Sequence, residues 1–193
     1  MAQATRGRPR GFDRDVVLER AMLAFWAHGY EATSVADLTA AMGITPPSLY
    51  AAFGDKKGLF REAVGHYQRT YGSDPGQALD AAAEVREGVR GMLMVLARVY
   101  TDPAHPRGCL VISAATNCTP ADADVEAELR ELRNANVAAL AGRLADGGVP
   151  GADAFARYLG AVIQGMSQQA RDGATKGDLE QIAEAALRAW PMS

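Results

Sequence analysis

The chain has little cysteine, no long apolar run and no excess of positive charge. Its two cysteines, Cys109 and Cys118, cannot build a disulfide framework, so a reduced, cytoplasmic setting is expected. No stretch of about 18 apolar residues occurs, so no transmembrane helix and no membrane partner are expected. The opening residues Met1-Ala2-Gln3-Ala4-Thr5 lack the apolar character of a secretory segment. The three histidines lie far apart. The GxGxxG, P-loop, HExxH and GxSxG patterns are all missing. Neither an enzymatic activity nor a cofactor is therefore expected. No segment alternates apolar and polar residues over the length of a strand, which points to an all-α fold.

Apolar content, in contrast, is ample. At 48% hydrophobic residues over 193 positions, the chain can bury a core of one to two domains. The sharpest pattern runs from Thr33 to Leu59, TSVADLTAAMGITPPSLYAAFGDKKGL. Ser34 caps a short helix whose apolar residues Val35, Leu38 and Met42 recur at spacings of three and four. Asp37 stands three residues after Ser34, a relative of the capping box. Gly43 suits the left-handed residue that ends a helix. Ile44 plugs the turn, and Thr45 is placed to cap the next helix through its hydroxyl. Pro46 and Pro47 lack N–H groups, which lightens the first turn's demand for acceptors. Leu49 and Phe53, four apart, face a core; Ser48, Tyr50 and Ala51 face outward. Two short helices meeting at a glycine turn predict a helix-turn-helix, with its second helix presented to a DNA groove.

A leading helix from about Asp13 to His28 supports this unit. Phe12 and Asp13 supply its hydrophobic entry and cap, and Gly29 its end. Val17, Ala21, Ala24 and Phe25 share a face with Leu18, Met22 and Trp26 beside it, a breadth that means burial. His28 reads as a structural residue rather than a ligand.

Residues 12–60 resemble the DNA-binding domain of the TetR family of bacterial regulators. The resemblance rests on Thr33-Ser34-Val35, Gly43-Ile44-Thr45, Ser48-Leu49-Tyr50, Phe53, Lys56 and Leu59. The family often carries His just before the Phe; here that position is Ala52, so one backbone contact is missing. The resemblance implies a homodimeric DNA-binding regulator, a repressor that leaves a palindromic double-stranded operator when a small-molecule effector binds. The DNA-contacting set it implies is Arg8, Arg10, Thr33, Thr45, Pro46, Ser48, Tyr50 and Lys56. Lys56 opens a fourth helix and is placed to clamp a phosphate with help from the helix N-terminus. Lys57 reads as a solvated charge.

Charge is informative once divided. Residues 1–65 carry eight Lys/Arg against seven Asp/Glu, and the remainder twelve against sixteen. An acidic total does not exclude DNA binding, because phosphate affinity depends on where cations sit. Arg6, Arg8 and Arg10 sit together in GRPRG. Residues 1–11 are too short and polar to fold alone and read as a basic arm able to reach a groove.

The helix from Lys56 to Tyr71 links this unit, residues 12–71, to a second one, residues 72–193. Gly72-Ser73-Asp74-Pro75-Gly76 breaks the helical pattern between them. Beyond it, Val85, Val89, Met92, Leu93, Leu96, Val99 and Tyr100 recur at helical spacing up to Thr101-Asp102-Pro103. A short segment from Cys109 to Thr116 follows, then a helix from about Asp122 to Leu144, capped by Thr119-Pro120 and closed by Gly147-Gly148. Two stripes of identical spacing end the chain. One is Phe155, Tyr158, Leu159, Val162, Ile163 and Met166; the other is Leu179, Ile182, Ala183, Ala186, Leu187 and Trp190. They predict an antiparallel helix pair that either buries within one subunit or forms a four-helix bundle across a two-fold axis. In the second case Tyr158, Val162, Ile163, Ile182, Ala186, Leu187 and Trp190 form the dimer interface.

An effector site between helices would be apolar with a few polar groups. Met92, Leu96, Tyr100, Cys109, Ile112, Asn117, Phe155, Tyr158 and Met166 are its candidates. Cys109 also carries an alternative, redox or electrophile sensing, with Arg107 close enough in sequence to favour the thiolate. A metal site from His105, Cys109 and Cys118 is opposed by Pro106 and Gly108, which spoil helical pairing of ligands; no metal is expected. A helical ligand-binding protein without a role on DNA is the alternative of a different class.

Overall fold

The computed structural model describes residues 12–191, and among these residues all regular structure is helical. The first unit contains α1 (Arg14–His28), α2 (Val35–Met42), α3 (Pro46–Phe53) and α4 (Lys56–Thr70). The second contains α5 (Ser73–Ala81), α6 (Val85–Thr101), α7 (Leu110–Ser113), α8 (Ala123–Asp146), α9 (Ala152–Arg171) and α10 (Lys176–Leu187). A 3₁₀ turn over Pro120–Asp122 leads into α8.

Local chemistry sets the boundaries of the first unit. Asp13 caps α1 by accepting from the Asp15 and Val16 N–H groups. At α2 the capping box is complete: the Ser34 hydroxyl accepts from the Asp37 N–H, and the Asp37 carboxylate accepts from the Ser34 N–H at 2.9 Å. Gly43 ends α2 at φ 69°. Its N–H and that of Ile44 both return to the Thr39 carbonyl, at 2.9 and 3.1 Å, in a Schellman arrangement. Arg20 also donates to the Met42 carbonyl at 3.3 Å, satisfying another group left open at the helix end. α1 lies against both α2 and α4, and α3 is held between α2 and α4. Leu38, Met42, Leu49, Leu59 and Phe60 fill the space between them with Phe25 and Trp26.

In the second unit α6 packs on α5, α9 and α10, while α9 also packs along α8. The final two helices therefore do not pair only with each other. One expectation is corrected here: Ser73-Asp74-Pro75-Gly76 does not interrupt the helical pattern but opens α5. Pro75 stands in the first turn, where its missing N–H would have had no partner anyway. The break is confined to Tyr71 and Gly72, whose N–H groups both return to the Tyr67 carbonyl. α4 and α5 remain in contact across it, and the buried side chains of both units form one continuous core.

Candidate functional site

The first site is the exposed side of α3. Leu49 and Phe53 are buried and fix the helix to its neighbours, while Thr45, Pro46, Pro47, Tyr50 and Ala51 are exposed and Ser48 half-buried. Tyr50 is 50% exposed, one of the largest apolar surfaces the molecule presents to solvent. The fold thus holds α3 by one face and leaves the other, with its N-terminus, free.

Three details of the expected set change. Thr45 occupies the N-cap position, but its hydroxyl meets the Ser48 hydroxyl at 3.0 Å instead of a backbone N–H. With prolines at the first two helical positions, the usual N–H at the second is absent. Thr33 is buried, and its hydroxyl donates to the Gly29 carbonyl at 2.6 Å. It braces the α1–α2 turn from beneath and is not on the surface. Lys56 is half-exposed with its ammonium 4.3 Å from the centre of the Tyr30 ring. This cation–π contact positions the charge without neutralising it. The α4 N-terminus expected to assist Lys56 is already occupied, since the Asp55 carboxylate accepts from the Gly58 N–H at 2.7 Å. Arg8 and Arg10 lie outside the described residues.

The second site is a cavity of about 580 Å³ bounded by α4, α5, α6, α8, α9 and the segment around α7. Its walls are mainly apolar and include Met92, Leu96, Val99, Val111, Ile112 and Leu140. Of the nine expected effector contacts, Met92, Leu96, Tyr100, Cys109 and Ile112 line it. The other four do not. Asn117 is exposed on a loop. Met166 is fully buried in packed core. Phe155 stacks on Tyr158 at 5.7 Å and meets Trp190 edge-on at 5.1 Å, in a separate aromatic group. Helical spacing placed these residues on an inner face but could not say which space that face bounds.

Polar groups not singled out in the sequence complete the wall. The Tyr67 hydroxyl donates to the Cys109 sulfur at 3.4 Å. Burial, followed by the neighbouring Cys109, pushes the Tyr67 and Tyr100 hydroxyls well above the ordinary phenol range, so both are neutral donors. From α8, Arg133, Asn136, Val137 and Leu140 stand at offsets 0, 3, 4 and 7 along one helical face. Arg133 donates to the Val111 carbonyl at 2.9 Å. Burial lowers its pKa from the ordinary guanidinium value, and no carboxylate pairs with it among the described residues. Arg143, farther along α8, is paired with Asp80 at 2.9 Å.

Arg107 was expected to favour a Cys109 thiolate. Its guanidinium instead donates to the Ala170 and Ala174 carbonyls, at 3.1 and 3.0 Å, closing the end of α9. Cys118 is raised above the ordinary thiol range, first by burial and then by nearby acidic groups, so it is held as the thiol. His105 stacks on Trp26 at 4.4 Å, away from any cysteine pair.

Direct contacts join the two sites. The Tyr30 N–H donates to the Ala114 carbonyl, just beyond α7, at 2.6 Å. The Tyr30 hydroxyl reaches Asp122 at 3.3 Å. Lys57 is not a solvated charge: its ammonium bridges Asp122 at 3.1 Å and Asp124 at 2.6 Å. Arg61 pairs with Glu128 at 2.6 Å and Asp124 at 3.1 Å. The first half of α4 is therefore tied to the start of α8, while Tyr67 and Gln68 of its last turns, with Tyr71 just beyond, form part of the cavity.

Of the seven residues expected at a dimer interface, three face inward. Ala186 and Leu187 are buried within the subunit. Ile163 turns toward the cavity. Val162, Ile182 and Trp190 are half-buried, and Tyr158 is 40% exposed.

Comparison with known proteins gives the family of the chain. Residues 17–63 match the family model described as bacterial regulatory proteins, tetR family. The HTH-type transcriptional repressor ComR of Escherichia coli (strain K12) is 37% identical over 195 residues, covering 97% of this chain and 93% of that protein. BdcR, another HTH-type transcriptional repressor of the same organism, is 30% identical over 95% of this chain and 90% of its own length. Among solved structures, a cysteine-substituted form of the TetR family regulator CifR, complexed with a 26-base-pair operator, superposes with a TM-score of 0.91. It is 43% identical, covering 96% of this chain and all of that one.

Proposed function

This chain belongs to the TetR family of bacterial regulatory proteins, and from that premise we propose that it is a homodimeric repressor released from a palindromic operator by a small-molecule effector. It is a DNA-binding transcriptional regulator. The observation that carries the reading is α3 itself, anchored by buried Leu49 and Phe53 while Thr45, Pro46, Tyr50 and Ala51 remain exposed. α3 contains no Lys or Arg. Its hydroxyls suit base edges, and Pro46 and Ala51 suit apolar contact with thymine methyl groups. Phosphate affinity then falls to the flanks: Lys56 and the arm bearing Arg8 and Arg10. Residues 12–71 act as the reader and residues 72–193 as the effector-binding and dimerising part.

An effector in the cavity touches the last turns of α4 and the α7 segment. Both lead directly to the reader, α4 by continuity and α7 through the Ala114–Tyr30 hydrogen bond. An occupant that fits one arrangement of these elements better than another shifts the population between DNA-competent and released dimers. In this reading the protein acts on DNA in the cytoplasm and is a regulator rather than an enzyme. Separately, no helix among the described residues is long and apolar enough to cross a membrane.

Genomic footprinting followed by affinity measurement at fixed salt tests the reading. The recovered site should be two-fold symmetric, and Tyr50→Ala should bind it at least about tenfold more weakly. Unchanged affinity would remove α3 as the reader.

A second reading, electrophile or oxidant sensing by Cys109, is favoured by the position of its sulfur in the cavity wall beside Tyr67. Under it, Cys109→Ser leaves operator binding intact and abolishes release by a thiol-reactive compound.

A further inference from the structure

We propose that the effector is an amphipathic anion, an apolar body carrying a carboxylate or similar acidic group, and that Arg133 is the residue that binds its head. This rests on the reading of the cavity as the effector site and narrows the chemistry of what enters it.

The cavity holds two arginines in unequal states. Arg143 has a carboxylate partner, Asp80 at 2.9 Å, and its charge is already balanced. Arg133 has a backbone carbonyl, that of Val111 at 2.9 Å, and no carboxylate among the described residues. A guanidinium carries five N–H donors in a planar fork, and one Nη alone accounts for its hydrogen bond here. Glu126 acts on Arg133 only from beyond ion-pair distance, and a cation drawn partly out of water with no carboxylate in contact is costly to the empty protein. An incoming anion relieves that cost and gains a fork-to-fork pair of charge-assisted hydrogen bonds.

The surroundings of Arg133 separate head from tail. Asn136, one helical turn along α8, and Gln164, from α9, also line the cavity and bring amide donors to its wall. Met92, Leu96 and Val99 from α6, with Leu140 from α8, form apolar wall. The volume, about 580 Å³, falls in the range of small-molecule sites. The methionine can adapt to the shape of a flexible chain. Tyr67 and Tyr100, held as neutral phenols, place no negative charge in the wall that would repel an anion, although the Tyr67 proton already faces the Cys109 sulfur. A neutral apolar compound would use the same walls but leave the guanidinium unpaired; a cation would meet it with like charge.

The test uses the full-length protein bound to the operator recovered by footprinting. Decanoate and 4-phenylbutyrate are compared with their primary amides, which match them in shape. Calorimetry reads binding and fluorescence anisotropy reads operator release. The acids should bind about ten- to a hundredfold more tightly than the amides, the span expected for charged hydrogen bonds. Arg133→Gln keeps a donor for the Val111 carbonyl and should erase most of that preference, lowering the affinity for the acids far more than that for the amides. Leu96→Trp, which fills the apolar wall, should weaken acid and amide together.

Equal affinity for acids and amides, or an Arg133→Gln protein that still prefers acids, overturns the anionic assignment. Amides that bind and release DNA as well as the acids do would leave the cavity as effector site and reject only the chemistry proposed for it. If no compound of either kind binds, the assignment also falls, while intact operator binding in the same assay preserves the regulator reading. Loss of operator binding without any compound would point to failure of that earlier reading instead.

Discussion

Individual residues do two kinds of work on the first unit. Some, such as Leu49 and Thr33, hold the reading helix from inside; others, such as Tyr50 and Lys56, are held so that they face outward. Lys56 shows how positioning and charge combine. Its ammonium stays over the Tyr30 ring at 4.3 Å, which restricts a long side chain before DNA arrives and so reduces the entropy lost on binding. Lys56→Gln should weaken operator binding and lower the slope of log affinity against log salt by about one, the signature of one lost phosphate contact. Anisotropy titrations over a salt series check this; an unchanged slope would place Lys56 off the backbone. Gly29 works in the opposite sense, by having no side chain. It sits at φ 85°, and a Cβ there would lie 3.2 Å from the Ala114 carbonyl oxygen. That oxygen accepts the Tyr30 N–H bond between the units. Gly29→Ala combines left-handed strain with crowding, and should destabilise the protein by about 1–2 kcal/mol or more in denaturant unfolding.

Elements were legible in the sequence where a helix announces its own ends. Ser34 with Asp37, Gly43 at the turn and Asp13 before α1 act locally, and each is found in the expected role. Local signals failed where the meaning of a residue depends on its position within a turn. Pro75 reads as a breaker in isolation yet belongs to the first turn of α5. Lys57 reads as solvated because its partners, Asp122 and Asp124, are far away in sequence. The cavity was half legible for the same reason. Its α6 wall follows from apolar periodicity, whereas Arg133 and Asn136 are among the polar residues of α8 and become wall only through packing. The α2 cap also makes a pH-dependent prediction. Hydrogen bonds from the Ser34 hydroxyl and N–H hold the Asp37 carboxyl below its ordinary pKa. A depressed carboxyl stabilises the folded state above its unfolded pKa, and that contribution is lost as pH falls through the folded value. Ser34→Ala removes the N-cap hydroxyl of α2 and should cost about 1 kcal/mol near neutrality. The gap in melting temperature between the two proteins should narrow as the solution is taken into the carboxylate range and below. A gap that stays constant with pH would mean that the reciprocal Asp37 bond adds nothing to the cap.

For the whole molecule, the question is which surface meets a second copy. A 3.6-residue stripe defines a face but not its partner, so the two closing helices could not be divided in advance between interior and interface. The structure divides them: Ala186 and Leu187 belong to the subunit's own core, Ile163 to the cavity, and Tyr158, Val162, Ile182 and Trp190 keep some surface. Tyr158 stacks on Phe155, which in turn meets Trp190 beyond α10, so this aromatic group joins the start of α9 to the residues that follow α10. Two substitutions separate the possibilities. Leu187→Glu places a charge in a buried position and should unfold the subunit, losing helical signal and cooperative melting. Tyr158→Glu alters a side chain already 40% exposed and should leave subunit folding nearly unchanged while like charges meet across the two-fold axis. Sedimentation velocity should then show a folded monomer. Its operator affinity should fall steeply, because the second half-site is no longer bound at the high effective concentration that a linked partner provides. A Tyr158→Glu protein that still sediments as a dimer with native operator affinity would move the interface away from α9 and α10.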